Sequence, residues 1–142
     1  MLRSHAQVIR YQSDEEYMAQ QSHRILVVED DPALCGMIGK FLTFCGYTVD
    51  CASSPGDALA AFQAQACDLV LLDLLLPGMT GQELAPHLKR HNPNVPVILI
   101  SAFPPDRIEG VDQIYPKPIT TKKLREIVET TLGLQSGRAE AA

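Results

Sequence analysis

The sequence contains few basic residues, and this shortage argues against one large class of partners. Twelve Lys and Arg residues stand against seventeen Asp and Glu residues, which gives a net charge of -5. Proteins that bind nucleic acid neutralise its phosphates with clustered positive charge. The one basic cluster, Lys122, Lys123 and Arg125, is small and is typical of the solvent-exposed face of a helix. We therefore expect no direct contact with nucleic acid.

Long hydrophobic runs and a leader pattern are also missing. No apolar segment is long enough to span a bilayer, and residues 1–24 are polar with scattered charges, unlike a signal peptide. These absences predict a cytoplasmic protein without membrane insertion. At 142 residues, the chain has the length of one domain.

No CxxC motif occurs among the four cysteines. Cys35, Cys45, Cys51 and Cys67 each lie in an apolar segment, a placement typical of buried, reduced thiols. A redox-sensing pair among them is the alternative interpretation.

Segments with the pattern of buried strands alternate with amphipathic helices. Strands are predicted at residues 25–28, 47–51, 68–72, 95–100 and 111–115. Helices are predicted after the first three strands and after the fifth, beginning at the capping residues Asp31, Ser54, Thr80 and Thr120. Pro86 lies inside the third helix, where it should kink the helix or delay its start. The alternation predicts a doubly wound α/β fold, a five-stranded parallel sheet with helices on both faces.

The two ends of the chain lack apolar periodicity. Residues 1–23 are predicted to form a mobile N-terminal tail, with a short helix near residues 14–21 as a hypothesis. Residues 134–142 are predicted to form a C-terminal tail, which leaves residues 24–133 as the folded domain.

Polar residues come at the carboxyl ends of four predicted strands. Glu29 and Asp30 follow the first strand, Asp73 the third, Ser101 the fourth and Lys117 the fifth. In a parallel sheet these ends converge on one rim. Three carboxylates in one place repel each other, and the repulsion must be relieved either by raised pKa values or by a bound cation. Mg²⁺ is the preferred interpretation, because it accepts a few carboxylate oxygens and leaves room for a phosphate oxygen. The pattern therefore predicts phosphoryl transfer onto a carboxylate, with Asp73 as the nucleophile.

The remaining residues have defined roles in this hypothesis. Asp30 would bind the metal directly and Glu29 mostly through water, while the backbone carbonyl of Leu75 completes the ligand set with Asp73. Lys117 would pair with the carboxylate of Asp73 and then with the phosphoryl oxygens. Ser101 would supply a hydroxyl donor.

The segments that carry these residues resemble the receiver domain of two-component response regulators. Residues 25–31 (Ile-Leu-Val-Val-Glu-Asp-Asp) are similar to the first strand and acidic pocket of that family, and residues 71–81 to its phosphorylation loop. Ser101-Ala102 is similar to its switch hydroxyl, and Lys117-Pro118 to its lysine and following proline, which the family joins by a cis peptide bond. The resemblance covers about residues 24–133 and implies the strand order 2-1-3-4-5.

The resemblance also implies a function. A histidine kinase or a histidine phosphotransfer protein would donate a phosphoryl group to Asp73, with Mg²⁺ as the cofactor. We expect the phosphorylated chain to signal by binding an unidentified downstream protein and not to act as an enzyme, because the sequence after Gly133 is too short for an output domain. Two alternatives stay open. One is a degenerate receiver that acts as a phosphate-independent scaffold, and the other is an aspartyl-phosphate phosphohydrolase, which normally has a second acid where this chain has Leu75.

Two features depart from the family pattern. Ser101 and Lys117 are separated by fewer residues than is usual, so the helix between the fourth and fifth strands is predicted to be short or missing, with Pro104 and Pro105 in its place. The aromatic switch position, three residues before the lysine, is Ile114. Tyr115 should point to the opposite face of its strand.

Overall fold

A single sheet with flanking helices forms the centre of the structure. A computed structural model describes residues 23–73 and 81–134. The strands are β1 (Arg24–Val28), β2 (Thr48–Ala52), β3 (Leu69–Leu72), β4 (Val97–Ser101) and β5 (Gln113–Pro116). The helices are α1 (Pro32–Phe44), α2 (Pro55–Ala64), α3 (Gly81–His91) and α4 (Thr121–Thr131). The hypothetical helix near residues 14–21 and nearly all of the two predicted tails lie outside the described residues.

The five strands are parallel and follow the order β2-β1-β3-β4-β5. This order confirms the predicted doubly wound α/β fold and the topology that the resemblance implied. The central strands β1 and β3 are covered on both faces, so the apolar runs at residues 25–28 and 69–72 are buried throughout. A strand that is covered on both faces needs apolar residues at every position, whereas a strand with one exposed face needs them only at alternate positions.

Each face of the sheet has its own hydrophobic core, because successive strand residues point to opposite faces. On one face the strand residues Leu26, Val28, Val70 and Leu72 pack with α2 and α3. On the other face Ile25, Val27, Leu69 and Leu71 pack with α1 and α4. Ile114 packs against the first core and Tyr115 against the second, which confirms the predicted orientation of Tyr115.

Each predicted capping residue that the structure describes lies directly before the first residue of a helix. The side chains of Asp31, Ser54 and Thr120 accept backbone N–H groups of the first turns of α1, α2 and α4. The predicted cap Thr80 lies outside the described residues. Pro86 lies within α3 without delaying its start, because the helix already begins at Gly81.

Burial of the cysteines differs from the prediction at two positions. Cys35 and Cys67 are buried, but Cys45 is half-buried and Cys51 is exposed. Cys51 lies on β2, an edge strand, and a short apolar segment does not reveal which strand will lie at the edge. None of the helices in the described part of the chain is long and apolar enough to cross a membrane.

The connection between β4 and β5 contains no helix, as predicted: residues 102–112 form turns and bends. The loop itself covers the sheet in place of a helix. Ile108 is 8% exposed and belongs to the same hydrophobic core as Leu84 and Ala85 of α3. Gly110 lies directly against the backbone of Ala85 and Pro86, so the loop is packed tightly onto α3.

Gly110 is the position in this loop where a side chain should be costly. Its φ is +84°, and a Cβ atom there would lie 3.0 Å from the carbonyl carbon of Ala85. We expect Gly110→Ala to lower the free energy of unfolding by about 2 kcal/mol, through left-handed backbone strain and crowding. Gly133→Ala is the matched control, because φ there is +77° with open space around it, and it should cost about 1 kcal/mol. Urea denaturation measures both losses, and equal values would contradict the tight packing of the loop.

Candidate functional site

The parallel pairing of the strands brings the predicted polar residues to one rim of the sheet. Asp73 follows β3 directly, and its backbone N–H donates to the carbonyl of Val28 at the end of β1 (3.0 Å). Lys117 follows β5, and its backbone N–H donates to the carbonyl of Ser101 at the end of β4 (2.8 Å). These bonds hold the strand ends, and the side chains that follow them, next to each other.

Three carboxylates meet at this rim. One carboxylate oxygen from each of Glu29, Asp30 and Asp73 lies within 4.8 Å of the other two. Glu29 is buried, Asp73 is half-buried and Asp30 is exposed, so the cluster is open to solvent on one side. This set of oxygen donors fits Mg²⁺, which takes a few carboxylate oxygens and keeps several waters. The fourth predicted ligand, the carbonyl of Leu75, lies outside the described residues.

Lys117 supplies the positive charge of the site. Its Nζ donates to Glu29 Oε1 at 3.1 Å and to Asp73 Oδ2 at 3.4 Å. Burial alone would lower the pKa of Lys117, but the hydrogen bond to Glu29 and the charges of Asp73 and Glu29 together raise it above its ordinary value. The ammonium is therefore held between two carboxylates. The sequence predicted only the contact with Asp73.

Glu29 is the most deeply buried of the three acids, 5% exposed. Burial raises the pKa of the Glu29 carboxyl, and the charge of Asp73 adds to this effect, while hydrogen bonds from Lys117 and from the backbone N–H of Asp31 oppose it. The raised pKa means that the ionised carboxylate is less favourable in the folded protein than in water. A cation at the cluster would remove this penalty.

A pH dependence of stability follows from the raised pKa of Glu29. The folded protein holds this proton to a higher pH than the unfolded chain does, so stability falls as the pH rises from the ordinary value of 4.5 through the folded pKa. We expect Glu29→Gln to lack this decrease and to be more stable than the wild type at neutral pH without Mg²⁺. Thermal unfolding across this pH range, with a chelator present, measures the effect. A variant that is less stable than the wild type at neutral pH would contradict it.

Ser101 is also buried at the rim, 3% exposed, but it is not bonded to the carboxylates. Its Oγ accepts the backbone N–H of Phe103 at 3.2 Å, which leaves the hydroxyl proton available for another acceptor. The structure therefore brings Glu29, Asp30, Asp73 and Lys117 into one cluster, with Ser101 on the adjacent strand end. The Lys117–Pro118 bond is cis, as the resemblance implied.

Two features of the site were not predicted from the sequence. The backbone N–H of Asp31, at the start of α1, donates to Glu29 Oε2 (3.3 Å) and so orients that carboxylate. A cavity of about 480 Å³ extends from Glu29, Asp73 and Lys117 between α1 and α4, with mainly apolar walls that include Met37 and Leu124. The cavity could not be predicted from the sequence, because it depends on the distance between two helices that are far apart in the chain.

A parallel sheet of this order, with an acidic cluster and a lysine at its carboxyl rim, defines the class of receiver-like α/β domains. Comparison with known proteins then gives the family: the chain belongs to the response regulator receiver domain family, whose model matches residues 25–129. This family functions in two-component signalling systems.

Curated relatives include regulators from two bacteria. A probable transcriptional regulatory protein, TcrX of Mycobacterium tuberculosis, is 34% identical over 106 residues, which cover 70% of this chain and 45% of TcrX. The regulatory protein VanRB of Enterococcus faecalis is 32% identical over 117 residues, covering 78% of this chain and 53% of VanRB. The chain thus spans about half the length of these relatives.

Solved structures with the same fold include two receiver proteins. A CheY-like response regulator receiver domain protein from Methanospirillum hungatei is 29% identical with a TM-score of 0.73, and the match covers 78% of this chain and 94% of that one. The response regulator TrrA from Thermotoga maritima, solved in complex with Mg²⁺-BeF, is 31% identical with a TM-score of 0.71, covering 78% of this chain and 99% of that one.

Proposed function

We propose that this protein is a phosphoacceptor response regulator that receives a phosphoryl group on Asp73 in the presence of Mg²⁺. The observation that carries the proposal is the contact of Lys117 Nζ with both Glu29 and Asp73, beside a cluster of three carboxylates. An ammonium at this position can pair with the carboxylate of Asp73 before the transfer and with the phosphoryl group after it. Residues 24–133 form the receiver domain in this proposal.

The residues of the cluster have separate roles in the transfer. A carboxylate oxygen of Asp73 attacks the phosphorus of a phosphohistidine, the phosphorus–nitrogen bond breaks, and the imidazole leaves with the bonding electrons. Asp30 and Asp73 would hold Mg²⁺ directly, with Glu29 acting mostly through water and Leu75 through its backbone carbonyl. The bound cation supplies charge neutralisation. Lys117 then pairs with a phosphoryl oxygen, and Ser101 donates its hydroxyl proton to another.

The proposed donor is a histidine kinase or a histidine phosphotransfer protein. Two observations support it: the family membership and the similarity to TrrA, which was solved with Mg²⁺-BeF. In this proposal the phosphorylated chain signals in the cytoplasm by binding a downstream protein. It performs no enzymatic reaction on a further substrate and makes no direct contact with nucleic acid.

A phosphate-independent scaffold is the second candidate function. It is favoured by one observation: residues 102–112, which connect the strand of Ser101 to the strand preceding Lys117, contain no helix. A phosphohydrolase is less well supported, because the position of its second acid is occupied by Leu75.

Intact-mass spectrometry after incubation with acetyl phosphate and Mg²⁺ distinguishes the two candidates. We expect the wild type to gain the mass of one phosphoryl group, and the gain to require Mg²⁺. The adduct should be removed by hydroxylamine, which cleaves acyl phosphates. Asp73→Asn, which keeps the shape of the side chain, should show no adduct. If the wild type binds Mg²⁺ but stays unmodified, the scaffold function is favoured instead.

A further inference from the structure

Two of the four cysteines meet where α1 crosses the edge strand β2. Cys35 lies in the first turn of α1 and is buried, 5% exposed. Cys51 lies on β2 and is exposed. The Sγ of Cys51 is 3.2 Å from the backbone carbonyl oxygen of Cys35, and the Sγ of Cys35 is 3.9 Å from the carbonyl oxygen of Val27. The pair therefore joins an exposed residue of the edge strand to a buried residue of the helix.

A glycine permits this close approach. Gly39 lies one turn after Cys35 in α1, and a Cβ atom there would lie only 3.2 Å from Cys51 Sγ and 3.8 Å from a methyl carbon of Val49. The helix thus packs its backbone almost directly onto the side chains of β2.

We propose that Cys35 and Cys51 are an oxidation site, at which a peroxide converts the two thiols into a reversible intramolecular disulfide that links α1 to β2. This inference is independent of the phosphoacceptor function. It assigns a role to a pair of thiols that the carboxylate site does not use.

The reaction balances with one peroxide for each pair of thiols. The thiolate of Cys51 attacks one oxygen of hydrogen peroxide, the oxygen–oxygen bond breaks, and Cys51 becomes a sulfenic acid while hydroxide leaves and takes up a proton. The sulfur of Cys35 then attacks the sulfur of Cys51, the sulfur–oxygen bond breaks, and the leaving hydroxide takes the thiol proton of Cys35 to form a second water. The two thiols lose two electrons, and the peroxide gains them. A dithiol reductant reverses the reaction by thiol–disulfide exchange.

Burial and exposure determine the order of these steps. Burial, together with the neighbouring Cys51 thiol, raises the pKa of Cys35 to about 12, so Cys35 is protonated at neutral pH and is shielded from the oxidant. Cys51 reacts first because it is the exposed residue of the pair, whereas Cys35 is buried. Its side chain must then turn from the carbonyl oxygen of Cys35 to the sulfur of Cys35, to reach the sulfur–sulfur distance of about 2 Å.

The disulfide would connect the edge of the sheet to the helix turn next to the acidic cluster. The same turn of α1 begins at Asp31, whose N–H donates to Glu29. Oxidation should therefore restrain the start of α1, and it should raise the temperature of unfolding by several degrees, because a cross-link reduces the freedom of the unfolded chain.

Peptide mapping of the full chain tests the proposal. The reduced protein is treated with hydrogen peroxide, denatured, alkylated with iodoacetamide and digested with trypsin without reductant. Trypsin cleaves after Lys40 and so separates Cys35 from the other three cysteines, which lie together in residues 41–89. We expect the peptide of residues 25–40 to become linked to that of residues 41–89, with the linked form lost on addition of dithiothreitol.

Single substitutions identify the partner of Cys35. Cys51→Ser changes an exposed side chain, so the variant should fold, as circular dichroism can verify, and it should form no linked peptide. Cys45→Ser and Cys67→Ser are the matched controls and should form as much linked peptide as the wild type. The proposal is wrong if the wild type keeps four alkylatable thiols, if Cys51→Ser still links the two peptides, or if Cys51 joins two chains while Cys35 stays alkylatable. An unchanged unfolding temperature in the oxidised protein would contradict the proposed restraint of α1.

Discussion

Replacing Lys117 by Met is expected to slow phosphoryl transfer to Asp73 by about 100-fold. The ammonium of Lys117 contacts Glu29 Oε1 and Asp73 Oδ2, so its removal takes away the side-chain counter-charge of these two carboxylates. The approaching phosphoryl group, itself negative, then lacks a cation on that side of the site. The rate of mass gain with acetyl phosphate at saturating Mg²⁺ measures the loss.

Lys122→Met is the matched control for this prediction. Lys122 lies in the first turn of α4 and is exposed, so its substitution removes the same charge without touching the carboxylates. The control should react at nearly the wild-type rate. Lys117→Arg should not restore the rate, because a planar guanidinium differs in shape and reach from an ammonium. If Lys117→Met and Lys122→Met react equally fast, Lys117 has no role in the transfer.

The sequence could predict that these polar residues lie together, because strand ends are visible in it. Each buried strand is an apolar run, and the polar residue that ends the run, such as Asp73 after residues 69–72, must lie at the carboxyl rim. The topology then brings residues from several strands together without any knowledge of side-chain contacts. The short or missing helix was predicted differently, from the resemblance to the family, because Ser101 and Lys117 are separated by fewer residues than is usual in it.

Contacts between distant segments could not be predicted in the same way. The sequence predicted that Lys117 contacts Asp73, whereas the shorter contact of Lys117 Nζ is with Glu29. The position of a long side chain depends on how deeply each neighbouring carboxylate is buried, which the sequence does not specify. The packing of Gly110 against α3 and the meeting of Cys35 with Cys51 depend on helix positions that no local pattern specifies. The strands of the structure begin or end one or two residues away from the predicted bounds, as at β5, because pairing with neighbouring strands determines where a strand ends.

Asp30→Asn is expected to weaken Mg²⁺ binding by at least about 10-fold. Asp30 is the exposed member of the cluster, with a carboxylate oxygen within 4.8 Å of those of Glu29 and Asp73. An amide oxygen at this position carries no full charge and neutralises the cation poorly. Titration calorimetry measures the affinity directly, and the rise in unfolding temperature on addition of Mg²⁺ gives an independent value.

The neighbouring residue provides a matched control, because Asp31→Asn removes the same charge one position later in the chain. The Oδ1 of Asp31 accepts the N–H groups of Ala33 and Leu34, and Asn caps a helix as well as Asp does. The Asp31 variant should therefore keep the fold of α1 and lose only long-range attraction for Mg²⁺, a small effect that salt screens. A much larger loss of Mg²⁺ affinity in Asp30→Asn than in Asp31→Asn identifies Asp30 as a ligand of the cation. Equal losses would mean that Mg²⁺ is attracted by the overall charge of residues 29–31, and the role of Asp30 as a direct ligand would then be wrong.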